Sequence, residues 1–446
     1  MRQLIMLIDL LLSCFTLIFV TAYVGLCYLC RSRGNPSTHT KKLLVVQTFH
    51  TYAAIKKSGH EEMIYQTDLD GFFDQVYTLY PTVGSDTGQP TGEFSGNHRI
   101  TTMNARHEFI EYKMAALPLK LFPTLNFILS QTIMLRAMQR FTKKHQINLV
   151  RGTCPFLTGL YAMLIARQNN IPYSLRIGGN YDLMHKNGLM VYRKIFRRYW
   201  VAKKIAHWVF RNADNVCAVN NNNLQYCLNN GAKKEKCVVI RYGNMIDPIH
   251  YTEPKQRQGF LKTIGIDPHR PITIYVGRLT SVKHPEDLLT ITKLASKILP
   301  NMLTIVIGNG DVKASLEQQA KQMNIENNIV FLGHQNQEKL AQLYVDANVY
   351  LSTLTGRSLV EAALAELPML AYDYEWHSEM VIPDKTGELA PYRDTQAMAQ
   401  QLIDLLQNPD RAKKLGQQAR LFTLDLMDKG KIRLLEQQTA RALLKE

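Results

Sequence analysis

"ANVYLSTLTGRSLVEAALAELPMLAYD", residues 347–373, decides the fold. "VYLS" has strand composition, "LTGR" is a glycine-bearing turn, "SLVEAALAEL" has helical spacing and "PMLAYD" returns to strand. The whole is therefore one α/β unit. The unit places a single carboxylate, Glu361, near the start of its helix. Ser358 and Glu361 fit an S-x-x-E capping box, in which each side chain satisfies a free amide of the helix start. A ligand-binding acid is the alternative reading, because open parallel sheets bind ligands beyond the carboxyl ends of their strands.

The same alternation extends in both directions. "KLLVVQ", "DQVYTLY", "INLVRG", "PYSLRIGG", "DNVCAVN" and "KCVVIRYGN" form one series, and "PITIYVG", "LTIVIGNG", "NIVFLG", "NVYLST" and "PMLAYD" a second. Between them "IDPIHYTEPKQRQG", residues 246–259, is polar and twice broken by proline, so it reads as a hinge or linker. The chain of 446 residues, 46% hydrophobic and 20% charged, is too long for one ordinary core and too apolar for a disordered protein. The expected architecture is α/β: two doubly wound Rossmann-like domains, residues 43–245 and 260–425, facing a cleft, with a terminal helix at 426–446.

Ahead of these domains, "LLLSCFTLIFVTAYVGLCYLC", residues 10–30, carries no charge and is long enough for a hydrocarbon core of roughly 30 Å. It predicts one N-terminal transmembrane helix within an anchor at 4–30, followed by a tether at 31–42. A cleaved signal peptide is the rival, but the apolar run is long for one and "CYLCRSRG" is not a small-residue cleavage site. Arg31, Arg33, Lys41 and Lys42 follow the span, so the positive-inside rule places the body of the protein on the cytoplasmic side of a membrane. Of seven cysteines, three fall in the anchor and the others are scattered singly, with no metal-ligand spacing.

A formal charge of +16 asks for an anionic partner. No zinc-finger spacing or RNA-binding signature is present, so nucleic acid is set aside. The most basic stretch, "VYRKIFRRYWVAKKIAHWVF", residues 191–210, has Ile195, Tyr199, Ala202, Ala206 and Val209 at helical spacing. It reads either as an interfacial helix on anionic lipid or as a surface helix packed on the first domain.

The strand-end loops of the second domain carry the chemistry. After "PITIYVG" come Arg278 and Lys283, the latter just before a helix expected to begin at Pro285. A bound phosphate would use both, whereas a surface lysine paired with Glu286 or Asp287 is the plain alternative. After "LTIVI" comes "GNGD", whose Gly308 and Gly310 permit close approach of backbone amides, to a ligand or simply within a turn. The third loop brings Glu361, which can accept both hydroxyls of a ribose.

Taken in this order, the loops resemble the retaining GT-B glycosyltransferases that use nucleotide sugars, glycosyltransferase family 4, group 1. The resemblance is clearest over residues 271–391, in "VGRLTSVKHPEDLL", "VIGNGDVKASLEQQAKQMNIENNIVFLG" and "EAALAELPMLAYDYEWHSEMVIPDKTGELAPY". It implies a hexosyltransferase acting with retention, with no cofactor and no metal; the expected membrane anchor and the basic helix point to a lipid-linked glycan or glycolipid as the acceptor. By the same resemblance Gly277, Arg278, Lys283, Gly308, Gly310, Gly356, Ser358, Leu359, Val360 and Glu361 would bind the donor. Arg278 and Lys283 would also stabilise the leaving diphosphate, and Glu361 would hold the ribose.

Two departures stand out. The family's acidic motif has two glutamates separated by seven residues, and the position of the first is Thr353. The loop where many members place a histidine beside the acceptor reads "RIGGNYD", leaving Asn180 and Asp182 as the nearest polar groups, with Asp182 the catalytic candidate. A catalytically impaired scaffold that binds a nucleotide sugar is therefore one alternative. A metal-dependent D-x-D enzyme using Asp68 and Asp70 of "YQTDLDGFF" is the other, although that pair precedes a strand instead of closing one.

Overall fold

The structure, a computed structural model, describes residues 40–48, 50–58, 61–83, 95, 97–113, 123–186, 188, 198–254 and 259–445, with six positions between 11 and 25. The expected anchor at 4–30 and most of the tether fall outside the described residues. Among the described residues no helix is long and apolar enough to cross a membrane. The chain forms two compact units, Met1–Ile240 with Arg433–Glu446, and Arg241–Ile432.

In the first unit the strands are β1 (Lys42–Val46), β2 (Gln75–Val83), β3 (His98–Thr102), β4 (His107–Lys113), β5 (Leu149–Gly152), β6 (Tyr173–Ile177), β7 (Asn215–Ala218) and β8 (Cys237–Val239). They make one sheet in the order β3-β4-β2-β1-β5-β6-β7-β8. Every neighbouring pair is parallel except β3 with β4. Leu43, Leu44 and Val46 are wholly buried, as are Leu149, Val150, Tyr173, Leu175 and Ile177, which explains the unbroken apolar runs. Helix Leu157–Asn169 is buried at nearly every residue and packs against β5.

The basic segment takes the second of its two readings. Helix Tyr199–Arg211 turns Val201, Ala202, Ile205, Ala206 and Val209 into the core of the first unit, so the stripe is packed on protein, as the surface-helix reading has it, and not on lipid. Trp208 lines that core and Trp200 is exposed; Ile195 lies outside the described residues. The D-x-D pair is likewise engaged by protein. Asp68 ends a 3-10 turn and faces Arg106 at 3.5 Å, while Asp70, at φ +59°, accepts from Arg433 Nε at 2.8 Å. Both precede β2 and so stand at the amino edge of the sheet, opposite the edge where such folds bind ligands.

The strands of the second unit are β9 (Ile272–Val276), β10 (Leu303–Ile307), β11 (Ile329–Gly333), β12 (Val349–Ser352), β13 (Met369–Tyr372) and β14 (Gly387–Ala390), all parallel in the order β11-β10-β9-β12-β13-β14. The connections run one way from β9 to β11 and the other way from β12 to β14. The reversal falls between β9 and β12, a topological switch point, where helices on opposite faces leave the carboxyl edge open. The chain then runs through helices Thr395–Gln407 and Pro409–Leu426 into Lys429–Leu444, whose part from Arg433 onward belongs to the first unit.

Candidate functional site

Arg278 and Lys283 follow β9, and Thr353 to Glu361 follow β12, so both loops open at the switch point. Arg278 is exposed, and its side chain makes no hydrogen bond or ion pair among the described residues. Lys283 closes a 3-10 turn, Ser281–Lys283, ahead of helix Glu286–Ser296. The residue is half-buried, and its ammonium also lacks a partner among the described residues. Burial pushes its pKa down, the carboxylate of Glu375 opposes that, and Arg278 adds to it. The alternative pairing of Lys283 with Glu286 or Asp287 does not occur: Arg393 takes both acids, at 3.0 Å and 2.8 Å. Two cations thus follow one strand end with no ion-pair partner among the described residues, an arrangement suited to a diphosphate.

The glycines of "GNGD" have a structural reason of their own. Gly308 lies at φ +136°, and a Cβ there would stand 1.9 Å from the Gly277 carbonyl oxygen; one on Gly310 would stand 1.9 Å from that of Leu279. The loops after β9 and β10 are knitted backbone to backbone, with Leu279 N–H donating to Asn309 C=O at 3.0 Å and Gly277 N–H to Ile307 C=O at 3.0 Å. These glycines fix the shape of the loop that carries Arg278, whether or not they approach a ligand themselves.

The expected capping box is absent. Helix Arg357–Leu364 starts with Gly356 as its N-cap and has no side-chain cap, so Ser358 stands inside the helix, past the capping position. The Ser358 hydroxyl instead donates to Val276 C=O at 2.7 Å and accepts from Tyr350 at 2.8 Å, tying the helix start to β9 and β12. Glu361 is 6% exposed and takes one hydrogen bond, from the Tyr344 hydroxyl to Oε2 at 3.1 Å. Its second oxygen has no partner among the described residues. A Cβ on Gly356 would meet nothing within 4 Å, so the face before the helix is open. Leu359 and Val360 are wholly buried in the apolar core, which leaves only their backbones for a ligand, and the Leu359 amide already donates to Gly356 C=O at 3.1 Å.

Beneath these loops lies a closed polar network that sequence reasoning missed. His377 is fully buried; its Nδ1 lies 3.0 Å from Tyr372 C=O, and its Nε2 lies 3.3 Å from both the Ser352 hydroxyl and Thr355 C=O. Burial lowers its pKa to about 4, against the pull of two backbone carbonyls. Thr353, at the position of the family's missing acid, is wholly buried and donates to Lys283 C=O at 2.6 Å. It braces the cation's loop. The sequence signal that was available for Glu375 is its place in "DYEWH", directly after an apolar strand.

In the first unit Asp182 lies in helix Tyr181–Lys186, beyond the end of β6. It accepts from Tyr199 at 2.5 Å, Asn230 at 2.9 Å and Lys203 at 3.2 Å. Burial alone would raise its pKa, but these three donors outweigh burial and hold the carboxyl below its usual range. Asn180 is engaged too, accepting from Leu183 N–H at 3.2 Å and donating to Asn222 at 3.1 Å.

Residues 257–422 match the family described as glycosyl transferases group 1. The second unit is a group 1 glycosyltransferase domain. Its curated relatives include the GtfA subunit of the UDP-N-acetylglucosamine–peptide N-acetylglucosaminyltransferase of Streptococcus agalactiae, 27% identical over 198 residues, which are 41% of this chain and 38% of that protein. The chain spans less than half the length of the first curated relatives it matches. The fold extends further than the family match. Sucrose-phosphate synthase from Thermosynechococcus elongatus superposes with a TM-score of 0.67 at 18% identity, over 91% of this chain and 99% of that one. Anabaena HepE, solved in complex with UDP and glucose, gives 0.64 at 15% identity over 90% and 100%. The group 1 glycosyltransferase domain described here thus sits within a two-domain GT-B fold.

Proposed function

We propose that the chain transfers a hexosyl residue from a nucleotide sugar to an acceptor hydroxyl, with retention at the anomeric carbon. The observation that carries this reading is the pair of cations, Arg278 and Lys283, without a hydrogen-bond or ion-pair partner among the described residues, at the β9–β12 switch point, where Glu361 follows the neighbouring strand with one oxygen unbonded among them. The diphosphate lies against the two cations and the ribose hydroxyls against Glu361. As the acceptor oxygen bonds to the anomeric carbon and the bond to the diphosphate breaks, negative charge grows on the leaving group, where Arg278 and Lys283 already wait. They supply the charge that a metal would otherwise bring. The UDP in the HepE complex and the UDP-sugar in the name of the streptococcal relative favour a uridine donor. The uncharged segment at 10–30 supports a membrane-held protein with its body on the cytoplasmic side, acting on a lipid-linked or glycolipid acceptor.

Titration calorimetry with UDP tests the site. Arg278→Ala and Lys283→Ala should each weaken binding by about 1.5 to 3 kcal/mol, the range for a charge-assisted contact. Unchanged affinity in both would remove the assignment. A second reading, a scaffold that binds donor without turnover, draws on buried Thr353 and on the engaged Asp182. It predicts tight UDP binding with no nucleotide release from any sugar donor offered with membrane lipid extract.

A further inference from the structure

Position 353 lacks an acid, yet the same strand edge holds one. In the order β9-β12-β13 the central strand ends at Ser352, followed by Thr353, with Lys283 beyond β9 on one side and Glu375 beyond β13 on the other. Because the three strands are parallel, all three residues stand at the carboxyl edge, with Thr353 in the middle and bonded to the Lys283 carbonyl. Glu375 has φ +53°, a left-handed backbone unfavourable for a residue bearing a Cβ. Its neighbours impose it. Tyr374 stacks on Tyr392 at 3.9 Å, while Trp376 and His377 are buried, so the chain is pinned on both sides of Glu375.

The carboxylate thus presented is half-buried and makes no hydrogen bond or ion pair among the described residues. It is near enough to Lys283 for each charge to act on the other, yet the two do not close into an ion pair. Burial raises the Glu375 pKa and the lysine opposes the rise. A half-buried acid and a half-buried lysine beyond the strands on either side of β12, neither with a hydrogen-bond or ion-pair partner among the described residues, suit a ligand that is anionic at one end and rich in hydroxyls at the other. A sugar diphosphate has that chemistry.

Resting on the function proposed above, we infer that Glu375 is a sugar-contacting residue, accepting hydroxyls of the transferred hexose in place of the acid absent from position 353. Lys283 and Arg278 keep the diphosphate, Glu361 the ribose, and Glu375 the ring about to be transferred. Thr353 acts only through the loop it braces.

The test uses the full chain and two variants, Glu375→Gln and Glu375→Gly, the second tolerating the left-handed backbone. Titration calorimetry compares UDP and GDP alone with UDP-glucose, UDP-N-acetylglucosamine and GDP-mannose. For the nucleotide that binds, both variants should keep affinity for the bare diphosphate within about twofold. They should lose about tenfold or more for the preferred sugar conjugate, so the ratio between the two affinities falls. Equal losses for both ligands, or an unchanged ratio, overturns the role of Glu375 and leaves the donor site standing. Failure of the wild-type protein to bind any of the five ligands overturns the function itself and this inference with it. Melting curves of both variants should match wild type; a variant that melts far lower assigns Glu375 a structural role instead.

Discussion

Asp182 and Lys283 each follow a parallel strand at the carboxyl edge of a sheet, one in either unit, and their side chains meet opposite conditions. Asp182 is surrounded by Tyr199, Asn230 and Lys203, and its neighbour Asn180 is also bonded. Lys283, Arg278 and Glu375 have no hydrogen-bond or ion-pair partner among the described residues, although two of the three are half-buried. Polar groups taken out of water are normally matched within the protein, because leaving them unmatched costs stability. A cluster of unmatched charges at a switch point therefore marks the place where a ligand completes the structure, and a matched one marks where the fold completes itself.

The largest test concerns His377, a matched group directly beneath the unmatched ones. Its pKa is about 4 in the folded state against 6.5 in the open chain, so the unfolded state binds a proton that the folded state refuses. The sign follows: its stabilisation is full above pH 6.5 and is lost as pH falls toward 4. Denaturant titration at several pH values should show wild type losing about 3 kcal/mol more than His377→Gln across that window. Parallel curves would mean that the ring is not held neutral. Next in size is Asp182→Ala, which removes three contacts in a partly exposed setting. We expect about 2 kcal/mol of lost stability with UDP affinity unaltered, and a stable variant that fails to transfer sugar would place Asp182 in the chemistry after all. The smallest effect is expected at Lys283→Met: within about 0.5 kcal/mol of wild type in urea denaturation, since no bond is lost and a burial penalty is relieved. A loss above about 1.5 kcal/mol would show that the lysine has a structural partner, and the comparison between the two units would fail.

Much of the second unit was legible because its signals are local. Apolar runs gave its strands, and Arg278, Lys283 and Glu361 stood at strand ends where the parallel-sheet rule looks for ligands. What escaped depended on distance along the chain. The S-x-x-E spacing at Ser358 and Glu361 is a real pattern, but the helix starts at Arg357, and both side chains turn to tyrosines of other elements. Nothing in "RIGGNYD" reveals that Asn230 will saturate Asp182. Glu375 was hidden inside a motif matched as a block, because its left-handed turn comes from the packing of Tyr374 and Trp376. The stripe at Ala202, Ala206 and Val209 was read correctly as apolar, while its destination, lipid or protein core, is a tertiary fact.

The return of Arg433–Glu446 to the first unit orders events during synthesis. Ala440, with Leu443 and Leu444 alongside, completes a small apolar cluster with Leu43, Leu69, Phe72 and Phe73. That cluster joins residues far apart along the chain, so it closes only once the segment around Ala440 has been made. The second unit is one continuous stretch, Arg241–Ile432, and every strand it needs has already emerged by then. The unit made later is thus free to fold first, and the unit made earlier waits for the segment that begins at Arg433.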